Sequence, residues 1–456
     1  MNVSHYLRCS LPHDRERHTH SDVRERAFVH TSAADNLSHV KDPAQGPRDP
    51  QRSEESWGDG GLGGVPQRTQ PVVGMVGGGQ LARMTQQAAI ALGVPLRVLA
   101  GSPQDSAAKV VADVQVGDDR SLDDLRAFAK GCDVITFDHE HVPGDHIRAV
   151  EEARIPCRPG SEALLHAQDK MVMRERLSAL GAPCPRFAKI DADDAVAAVE
   201  AFGAEAGWPV VLKATRGGYD GKGVWVLDRL DEAGTDLVRR LVAEGVDLMA
   251  EEHVSFRREL AALVARSPYG QGAAYPIVET VQESGICVEV IAPAPGLDEE
   301  TAEEAQRLAL DIADKLGVTG LLAVELFETG RGLMVNELAM RPHNSGHWTI
   351  EGSRTSQFEQ HLRAVLDLPL GDTRPTAPYV VMANVLGGDD PDLYARYIHV
   401  MAHDPAVKIN MYGKDVRPGR KIGHVTALGD DLDEVRERAR HAADYLRYGP
   451  QTKETR

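Results

Sequence analysis

The pattern of hydrophobic and polar positions changes at Pro71. Residues 1–70 are rich in His, Arg, Asp, Ser, Pro and Gly, and their few apolar residues show no periodic order. Such a segment cannot bury enough apolar surface to offset the entropy lost on ordering. We expect it to be a disordered extension rather than a functional arm. From Pro71 onward, short apolar runs alternate with amphipathic stretches, which is typical of packed domains.

Residues 71–167 alternate between strand-like and helix-like segments. Buried strands are predicted at residues 72–76, 96–99 and 134–137, and amphipathic helices at residues 80–92, 122–130 and 146–153. This alternation is typical of a parallel sheet covered by helices. The first domain is therefore predicted to be α/β.

The rest of the chain mixes strands and helices without that regular alternation. In residues 168–375, helices are predicted at 168–180, 194–202 and 299–316, and strands at 209–213, 224–227, 247–251, 260–265, 322–327 and 333–338. Residues 376–456 carry short strands, a basic loop and a helix at 432–445. The sequence thus predicts an α+β middle domain and a small, β-rich third domain.

Composition narrows the class of protein. The chain has 456 residues, 42% of them hydrophobic, and its 51 basic and 69 acidic residues give a net charge of −18. An acidic chain of this kind is a poor partner for nucleic acid. Its five cysteines form no Cys-x-x-Cys pair, so they indicate neither a zinc site nor a disulfide framework. No apolar run reaches the ~20 residues that cross a bilayer, and no signal peptide is evident, so a cytoplasmic location without a membrane partner is predicted.

The first glycine loop reads Gly77-Gly78-Gly79-Gln80-Leu81-Ala82 after a buried strand. This spacing formally matches a dinucleotide-binding fingerprint, but the second strand is followed by Ala100-Gly101-Ser102 instead of an acidic residue for the ribose. An NAD site is therefore disfavoured. The helix N-terminus could still hold a substrate phosphate, and the alternative is a tight turn that only packs the helix on the sheet.

The second glycine loop has four glycines in the eight residues 216–223, between two strands. It lacks the Gly-Lys-Ser/Thr of a Walker loop. Its backbone N–H groups could approach a polyphosphate, flanked by the positive charges of Lys213 and Lys222. The alternative is a flexible hairpin tip with solvated charges.

Two glutamates lie on apolar strands joined by a short turn. A turn centred on Arg331 would place Glu325 opposite Glu337 on one face, where the two charges repel unless a cation lies between them. Magnesium prefers such hard oxygen ligands. Asn336, next to Glu337, would point to the other face of an ideal pleat. The alternative is an exposed row of carboxylates on a solvated face.

Two further segments are dense in polar groups. Arg341 and His343 follow the second glutamate strand directly, where Arg341 could pair with a planar anion and His343 could shuttle a proton near neutral pH. The segment from Tyr412 to Lys421 carries four cations, Lys414, Arg417, Arg420 and Lys421, in an otherwise acidic chain. A phosphorylated substrate would account for the latter, and a solvated basic loop is the alternative.

Taken together, four motifs resemble the N5-carboxyaminoimidazole ribonucleotide synthase family of ATP-grasp ligases. They are Gly-Gly-Gly-Gln-Leu-Ala-Arg-Met at residues 77–84, the glycine loop at 217–223, the segment 336–347 that ends in Pro-His-Asn-Ser-Gly-His, and the basic segment 412–424. The resemblance implies a pre-ATP-grasp domain at 71–167, an ATP-grasp fold at 168–375 with a glycine-loop lid at about 190–250, and a C-terminal domain at 376–456.

The resemblance also implies roles for particular residues. Magnesium, as two ions, would be held by Glu325 and Glu337. The catalytic residues would be Asp220, Arg341, His343 and Lys414. The ribonucleotide would contact Gly77, Gly79, Gln80, Leu81, Arg83, Tyr219, Asn344, Arg417, Arg420 and Lys421. ATP would contact Lys170, Lys213, Gly218, Tyr219, Asp220, Gly221, Lys222, Gly223, Glu251, Glu252, His253, Val254, Glu259, Gln282, Asn336 and Glu337.

The implied reaction is the carboxylation of 5-aminoimidazole ribonucleotide with ATP and bicarbonate, through carboxyphosphate, in purine biosynthesis. The resemblance also implies that the enzyme is a homodimer. One departure is that Thr280-Val281-Gln282 stands where the family pattern often has Asn-x-His, so Gln282 would donate a hydrogen bond without a charge. The sequence leaves three other functions open. The first is another ATP-grasp ligase with an acyl-phosphate intermediate, such as a formate-dependent glycinamide ribonucleotide transformylase or a biotin carboxylase. The second is an NAD-dependent oxidoreductase, and the third is an inactive nucleotide-binding regulator.

Overall fold

The computed structural model describes residues 70–218 and 222–450. The predicted disorder of residues 1–69 and the predicted roles of Tyr219, Asp220 and Gly221 lie outside the described residues. Within the described ranges, no helix is both long and apolar enough to cross a membrane.

A four-stranded parallel sheet forms the first part of the described chain, in the order β3-β2-β1-β4. Its strands are β1 (Val73–Val76), β2 (Leu96–Ala100), β3 (Asp113–Val116) and β4 (Val134–Phe137), and the helices are α1 (Gln80–Leu92), α2 (Leu122–Ala129) and α3 (Gly144–Glu152). β1 and β4 are buried along their whole length. The edge strand β3 was not predicted, because it is only partly buried and its sequence alternates with polar residues.

Two consecutive helices, α4 (Ser161–Gln168) and α5 (Lys170–Ala179), follow the parallel sheet. The single helix predicted at residues 168–180 is interrupted at Asp169. The Asp169 side chain accepts hydrogen bonds from the backbone N–H groups of Met171 and Val172 and so caps α5. The interruption makes Lys170 the first residue of α5.

A second sheet is antiparallel, with the order β5-β8-β6-β7. It comprises β5 (Phe187–Ile190), β6 (Val210–Ala214), β7 (Val224–Leu227) and β8 (Leu248–Glu252), with helices α6 (Ala195–Ala206) and α7 (Glu232–Ala243) packed on it through a shared apolar core. The second glycine loop joins β6 to β7. This sheet corresponds to the predicted lid.

A nine-stranded sheet forms the centre, with the path β14-β13-β9-β11-β12-β15-β17-β16 and β10 paired to β9. Its strands are β9 (Phe256–Arg266), β10 (Gly272–Ala274), β11 (Val278–Glu283), β12 (Ile286–Ala292), β13 (Gly320–Thr329), β14 (Gly332–Ala339), β15 (Tyr379–Leu386), β16 (Lys408–Met411) and β17 (Lys421–Gly429). The helices are α8 (Glu299–Lys315), α9 (Thr349–Gly352), α10 (Gln357–Val365), α11 (Tyr394–His403) and α12 (Leu432–Tyr448).

The strands of the C-terminal segment extend this central sheet. β15 pairs antiparallel with β12, from Glu289 opposite Ala383 to Ala292 opposite Val380. Helix α12 then packs against β15 and β17 through an apolar core of its own. The C-terminal segment is thus attached by backbone hydrogen bonds as well as by side chains.

Candidate active site

A cleft of about 1040 Å³ is lined by residues of the lid sheet, the central sheet and the loop after β4. The glutamate-bearing hairpin β13–β14 contributes Glu325, Asn336 and Glu337, and the lid contributes Lys213 and Glu251. Strong charges of both signs therefore meet in one concave space. Such a space suits a polyanionic ligand with its counter-ions.

Glu325 pairs with Glu337 across β13 and β14, as the sequence predicted. Burial in the cleft and, to a lesser degree, the neighbouring charges of Glu337 and Glu259 together raise the pKa of Glu325 to about 7. Each added negative charge disfavours the ionised form. This carboxylate cluster therefore favours the binding of a cation.

The pairing of the two glutamates depends on a β-bulge. Thr329 pairs with Gly332 and Leu326 with Val335, so the hairpin turn is one position out of register with the Glu325–Glu337 pair, and Asn336 is the extra residue. The prediction that Asn336 points away was wrong because it assumed an ideal pleat. Its amide nitrogen lies 3.5 Å from Glu325 Oε2, and its amide oxygen accepts from Lys213 Nζ at 3.4 Å.

Lys213 and Arg174 clamp a single carboxylate, that of Glu251. Lys213 Nζ lies 2.6 Å from Glu251 Oε2, and Arg174 Nε lies 2.6 Å from Glu251 Oε1. Burial alone would raise the pKa of Glu251, but the charges of Lys213 and Arg174 outweigh it and lower the pKa to about 2. Arg174 also donates to the Asn336 carbonyl at 2.6 Å, so this network ties the lid sheet to the bulge.

Two further pairs of polar side chains lie in the cleft. Lys170 donates to Glu337 Oε1. Glu259 is hydrogen-bonded by Gln282, although burial raises its pKa overall. Gln282 therefore donates a hydrogen bond inside the cleft, as expected for the position where the family pattern often has a histidine.

Arg341 and His343 lie where β14 leaves the central sheet. Glu140 accepts from Arg341 Nε at 2.7 Å, which orients the guanidinium. His343 Nε2 lies 3.5 Å from Glu325 Oε1, and Nδ1 lies 2.9 Å from Ser345 Oγ. Burial and the charge of Arg341 lower the pKa of His343 to about 3. The structure therefore does not support the expectation that His343 titrates near neutral pH, because its imidazole is neutral there.

A second cavity, of about 900 Å³, is formed by the first glycine loop and the basic loop. Gly77, Gly79, Lys414, Arg417 and Arg420 line it together. The two loops are more than 300 positions apart along the chain. The Lys414 ammonium donates to the Gln80 amide oxygen, which connects the basic loop to the start of α1.

The N-terminus of α1 is occupied by an internal carboxylate. Asp138, directly after β4, accepts from Gly79 N and, at 3.3 Å, from Ala82 N. A Cβ atom on Gly79 would lie 2.2 Å from Asp138 Oδ2, so this approach requires glycine. A carboxylate of the protein itself therefore takes two N–H groups at this helix N-terminus, and the binding of a substrate phosphate there stays a prediction.

Asp138 and His139 line both cavities, which therefore adjoin at this point. His139 Nε2 lies 2.7 Å from Asp119 Oδ2. Burial would lower the pKa of His139, but the hydrogen bond to Asp119 and the charge of Asp138 raise it. The junction therefore presents a histidine that favours the charged form, within reach of both cavities.

The chain matches three family models, each over a separate range. A ribonucleotide synthetase pre-ATP-grasp domain matches residues 71–168, an ATP-grasp domain matches 175–358, and a phosphoribosylaminoimidazole carboxylase C-terminal domain matches 380–438. The N5-carboxyaminoimidazole ribonucleotide synthase of Mycobacterium tuberculosis is 55% identical over 383 residues, which cover 83% of this chain and 88% of the relative. The chain belongs to the N5-carboxyaminoimidazole ribonucleotide synthase family.

Other relatives agree with this membership. The synthase of Corynebacterium ammoniagenes is 53% identical over 384 residues, covering 82% of this chain and 92% of the relative. The crystal structure of the Thermus thermophilus synthetase is 37% identical with a TM-score of 0.74, covering 84% and 100% of the two chains. The Aspergillus clavatus synthase, in complex with ADP and 5-aminoimidazole ribonucleotide, is 30% identical with a TM-score of 0.75, covering 83% and 98%.

Family membership confirms several predictions made from the sequence. The fold class, with pre-ATP-grasp, ATP-grasp and C-terminal parts, is confirmed. So are the assignment as an ATP-dependent ligase and the binding of ATP. The individual site residues and the domain boundaries stay predictions.

Most predicted site residues line one of the two cavities. Those in the first cleft are Gln80, Leu81, Lys170, Lys213, Gly218, Glu251, Glu252, His253, Val254, Glu259, Gln282, Glu325, Asn336, Glu337, Arg341, His343, Asn344 and Lys421. Lys421 was expected to bind the ribonucleotide together with Arg417 and Arg420. It is the first residue of β17, however, and it lines the first cleft instead of the second cavity. Arg83, Lys222 and Gly223 line neither cavity. Arg83 instead donates to the Ser106 carbonyl at 3.1 Å.

The sequence reasoning missed three residues after β4, namely Asp138, His139 and Glu140. Asp138 caps α1, His139 lies where the two cavities adjoin, and Glu140 orients Arg341. A signal for them existed, since three polar residues directly follow a buried parallel strand, and ligand sites collect at the carboxyl ends of such strands. The segment was passed over because it contains no glycine motif.

Proposed function

We propose that this chain carboxylates 5-aminoimidazole ribonucleotide with ATP and bicarbonate, forming N5-carboxyaminoimidazole ribonucleotide, ADP and phosphate in purine biosynthesis. The observation that carries the proposal is the pair Glu325–Glu337 in a cleft that adjoins a second cavity, to which the basic loop contributes its cations. The first cleft suits a nucleoside triphosphate and its metal, and the second suits the phosphate of a ribonucleotide. Family membership supports the same reaction.

In the first stage, a bicarbonate oxygen attacks the γ-phosphorus of ATP and ADP leaves, which forms carboxyphosphate. Lys170 and Lys213 neutralise the phosphate oxygens, as phosphoryl transfer requires. Both ammonium groups are held in place by carboxylates before the substrate arrives. The Glu251 clamp therefore pre-organises Lys213, which reduces the cost of ordering it when ATP binds.

The carboxylates of Glu325 and Glu337 fit magnesium. Both offer hard oxygen ligands, Asn336 adds an amide beside them, and the pKa of Glu325 is raised by burial and by the negative charges of Glu337 and Glu259. When bound, two magnesium ions would neutralise charge on the transferring phosphoryl group. Glu325, Asn336 and Glu337 would hold them.

In the second stage, carboxyphosphate releases its carboxyl group as carbon dioxide, and the exocyclic amine of the ribonucleotide forms the new C–N bond. Inorganic phosphate leaves, and the amine loses one proton. Arg341 binds the planar bicarbonate and its adduct, since it lines the cleft and Glu140 fixes its guanidinium through Nε. Neutral His343 contributes hydrogen bonds to this anion. The predicted part of Asp220 in orienting the amine, and of the loop around Tyr219 in excluding water, stays a prediction.

Lys414 was expected from the resemblance to act in catalysis, but it lines the second cavity and not the first cleft. We assign it, with Arg417 and Arg420, to the ribonucleotide phosphate, and the glycine turn forms the wall of this cavity. Because Asp138 and His139 border both cavities, a ligand anchored there can extend its amine toward the first cleft. Bicarbonate as the carboxyl source, the homodimer and the cytoplasmic location stay predictions.

The deciding experiment measures phosphate released from ATP in the presence of magnesium and bicarbonate. We expect release to rise when 5-aminoimidazole ribonucleotide is added and the carboxylated product to appear in equal amount. A rise with formate and glycinamide ribonucleotide instead would favour a transformylase. Nicotinamide-cofactor fluorescence serves as a second test, and binding of that cofactor would favour an oxidoreductase.

A further inference from the structure

Three histidines meet on the surface between α11 and α12, outside both cavities. His399 and His403 lie one helical turn apart on α11, and His441 lies on α12. One ring nitrogen from each histidine lies within 4.8 Å of the other two. Among the described residues, this is the group of histidines, cysteines and carboxylates whose geometry matches a metal site.

The spacing within the cluster corresponds to ligands of one small ion. Residues four apart on a helix face the same side, which lets His399 and His403 point to one centre. His399 Nε2 and His441 Nε2 are 3.3 Å apart. Ligand nitrogens at about 2.0–2.1 Å from a tetrahedral zinc ion are separated by roughly 3.3–3.4 Å, so this pair already has the expected separation.

Ring contacts and hydrogen bonds also hold these histidines in place. The His399 ring stacks on Tyr445 with centroids 3.7 Å apart, and His403 and His441 are 4.5 Å apart. Arg396 Nη1 donates to the Leu446 and Arg447 carbonyls at 2.7 and 2.9 Å, which holds α11 against α12. These contacts bring the two helices together at the point where the three histidine rings meet.

We propose that His399, His403 and His441 form a binding site for a divalent transition-metal ion of the zinc class, with three imidazole ligands and one position open to water. Imidazole nitrogen is a preferred ligand for such ions. The site is of a different kind from the Glu325–Glu337 pair, because hard oxygen ligands favour magnesium.

Its role is to link α11 to α12. Helix α11 exposes an apolar stripe, with Tyr394, Ile398 and Met401 exposed by 78%, 72% and 51%. Val400 is its one buried residue, so the apolar core alone holds it weakly. A metal ion bound by ligands from both helices would stabilise this contact, since binding to the folded state alone raises its stability.

The test is cobalt titration of the full chain after removal of metal with a chelator, followed by visible absorption. The control is His166→Gln, a half-buried histidine on α4 outside the cluster. The variants are His399→Gln, His403→Gln and His441→Gln, with His403→Gln as the main one because His403 is exposed and its loss is least able to disturb folding. Residues 1–69 carry six further histidines, so differences between variants, rather than total cobalt bound, are compared.

We expect one cobalt site with a tetrahedral absorption band in the unaltered chain and in His166→Gln. Each cluster variant should lower cobalt affinity at least about tenfold and abolish the rise in unfolding temperature that zinc produces. The absence of that band in the unaltered chain would overturn the proposal. So would equal affinities in all variants, because the three rings would then be a stacked aromatic cluster only.

Discussion

The two cavities hold their charged side chains in different ways. In the first cleft, cations and carboxylates project from strands and pair with each other, as Lys213 does with Glu251. In the second cavity, Lys414, Arg417 and Arg420 come from a loop and face the first glycine loop, far away along the chain. The first cleft therefore has its charged groups in place for the metal and polyphosphate proposed above, whereas the proposed phosphate site in the second cavity depends on cations from a loop.

The comparison predicts that removing a carboxylate from the first cleft has the largest effect. In Glu337→Gln, we expect turnover to fall by at least about 100-fold, since one lost electrostatic contact at a transferring group costs roughly 10²–10³ in rate. The measurement is ribonucleotide-dependent phosphate release, with an unfolding curve as the check on folding. Glu300→Gln, on the exposed first turn of α8, is the matched control and should be unaffected. Normal turnover in Glu337→Gln would remove Glu337 from the metal site.

The second prediction separates the cavities. Lys414→Ala should lower ribonucleotide-dependent carboxylation by about 100-fold while nucleotide affinity changes less than about twofold, because Lys414 lines only the second cavity. Nucleotide binding is followed by calorimetry and carboxylation by product formation. Lys408→Ala, at an exposed position on β16, is the control. A parallel loss of nucleotide affinity would mean that the cavities do not work independently.

The third prediction tests the ionic network of the first cleft through pH. The folded pKa of Glu251 is about 2, below its ordinary value of 4.5. Its ionised form therefore stabilises the fold above about pH 4.5 and ceases to do so as the pH falls toward 2. Since its side chain is only 4% exposed, this corresponds to roughly 3 kcal/mol at neutral pH.

Accordingly, Glu251→Gln should lower the free energy of unfolding by about 3 kcal/mol near pH 7, and the difference from the unaltered chain should shrink below about pH 4.5. Denaturant unfolding at several pH values measures it. The exposed Glu244→Gln, at the C-terminus of α7, should show no such pH dependence. A difference that stays constant with pH would contradict the assigned ion pairs.

The smallest expected effects show which basic residues around the second cavity contact the ribonucleotide. Arg417→Ala should raise the KM for the ribonucleotide by about tenfold, because Arg417 lines the cavity. Arg83→Ala should change that KM less than about twofold and lower stability by about 1 kcal/mol, since it loses the bond to the Ser106 carbonyl. Steady-state kinetics with varied ribonucleotide checks both. The reverse order of the two effects would return Arg83 to the substrate site.

Local chemistry was predictable where partners lie close along the chain. The opposition of Glu325 and Glu337 was predicted by counting across one hairpin, and the register confirms the pair, although the bulge and not a turn centred on Arg331 produces it. The bulge at Asn336 was not predictable, because one extra residue in a strand leaves no signal in a pattern of alternating residues. It decides, however, that the Asn336 amide lies in the cleft.

Contacts between distant segments were less accessible. The first glycine loop was predicted to lie at an anion-binding helix N-terminus, yet the carboxylate found at the start of α1 comes from Asp138, 59 residues after Gly79. The cysteine spacing indicated no metal site, whereas the histidine cluster arises only because α11 packs on α12.

By itself, the sequence determined the main strands and helices, the four motifs and the family, because periodicity and short motifs are properties of neighbouring residues. Tertiary structure decided which charges meet. It placed Asp138 at α1, Glu140 on Arg341 and the C-terminal strands on the edge of the central sheet. Such contacts depend on how whole elements pack, and the energy of packing is shared among many side chains with no periodic order along the chain.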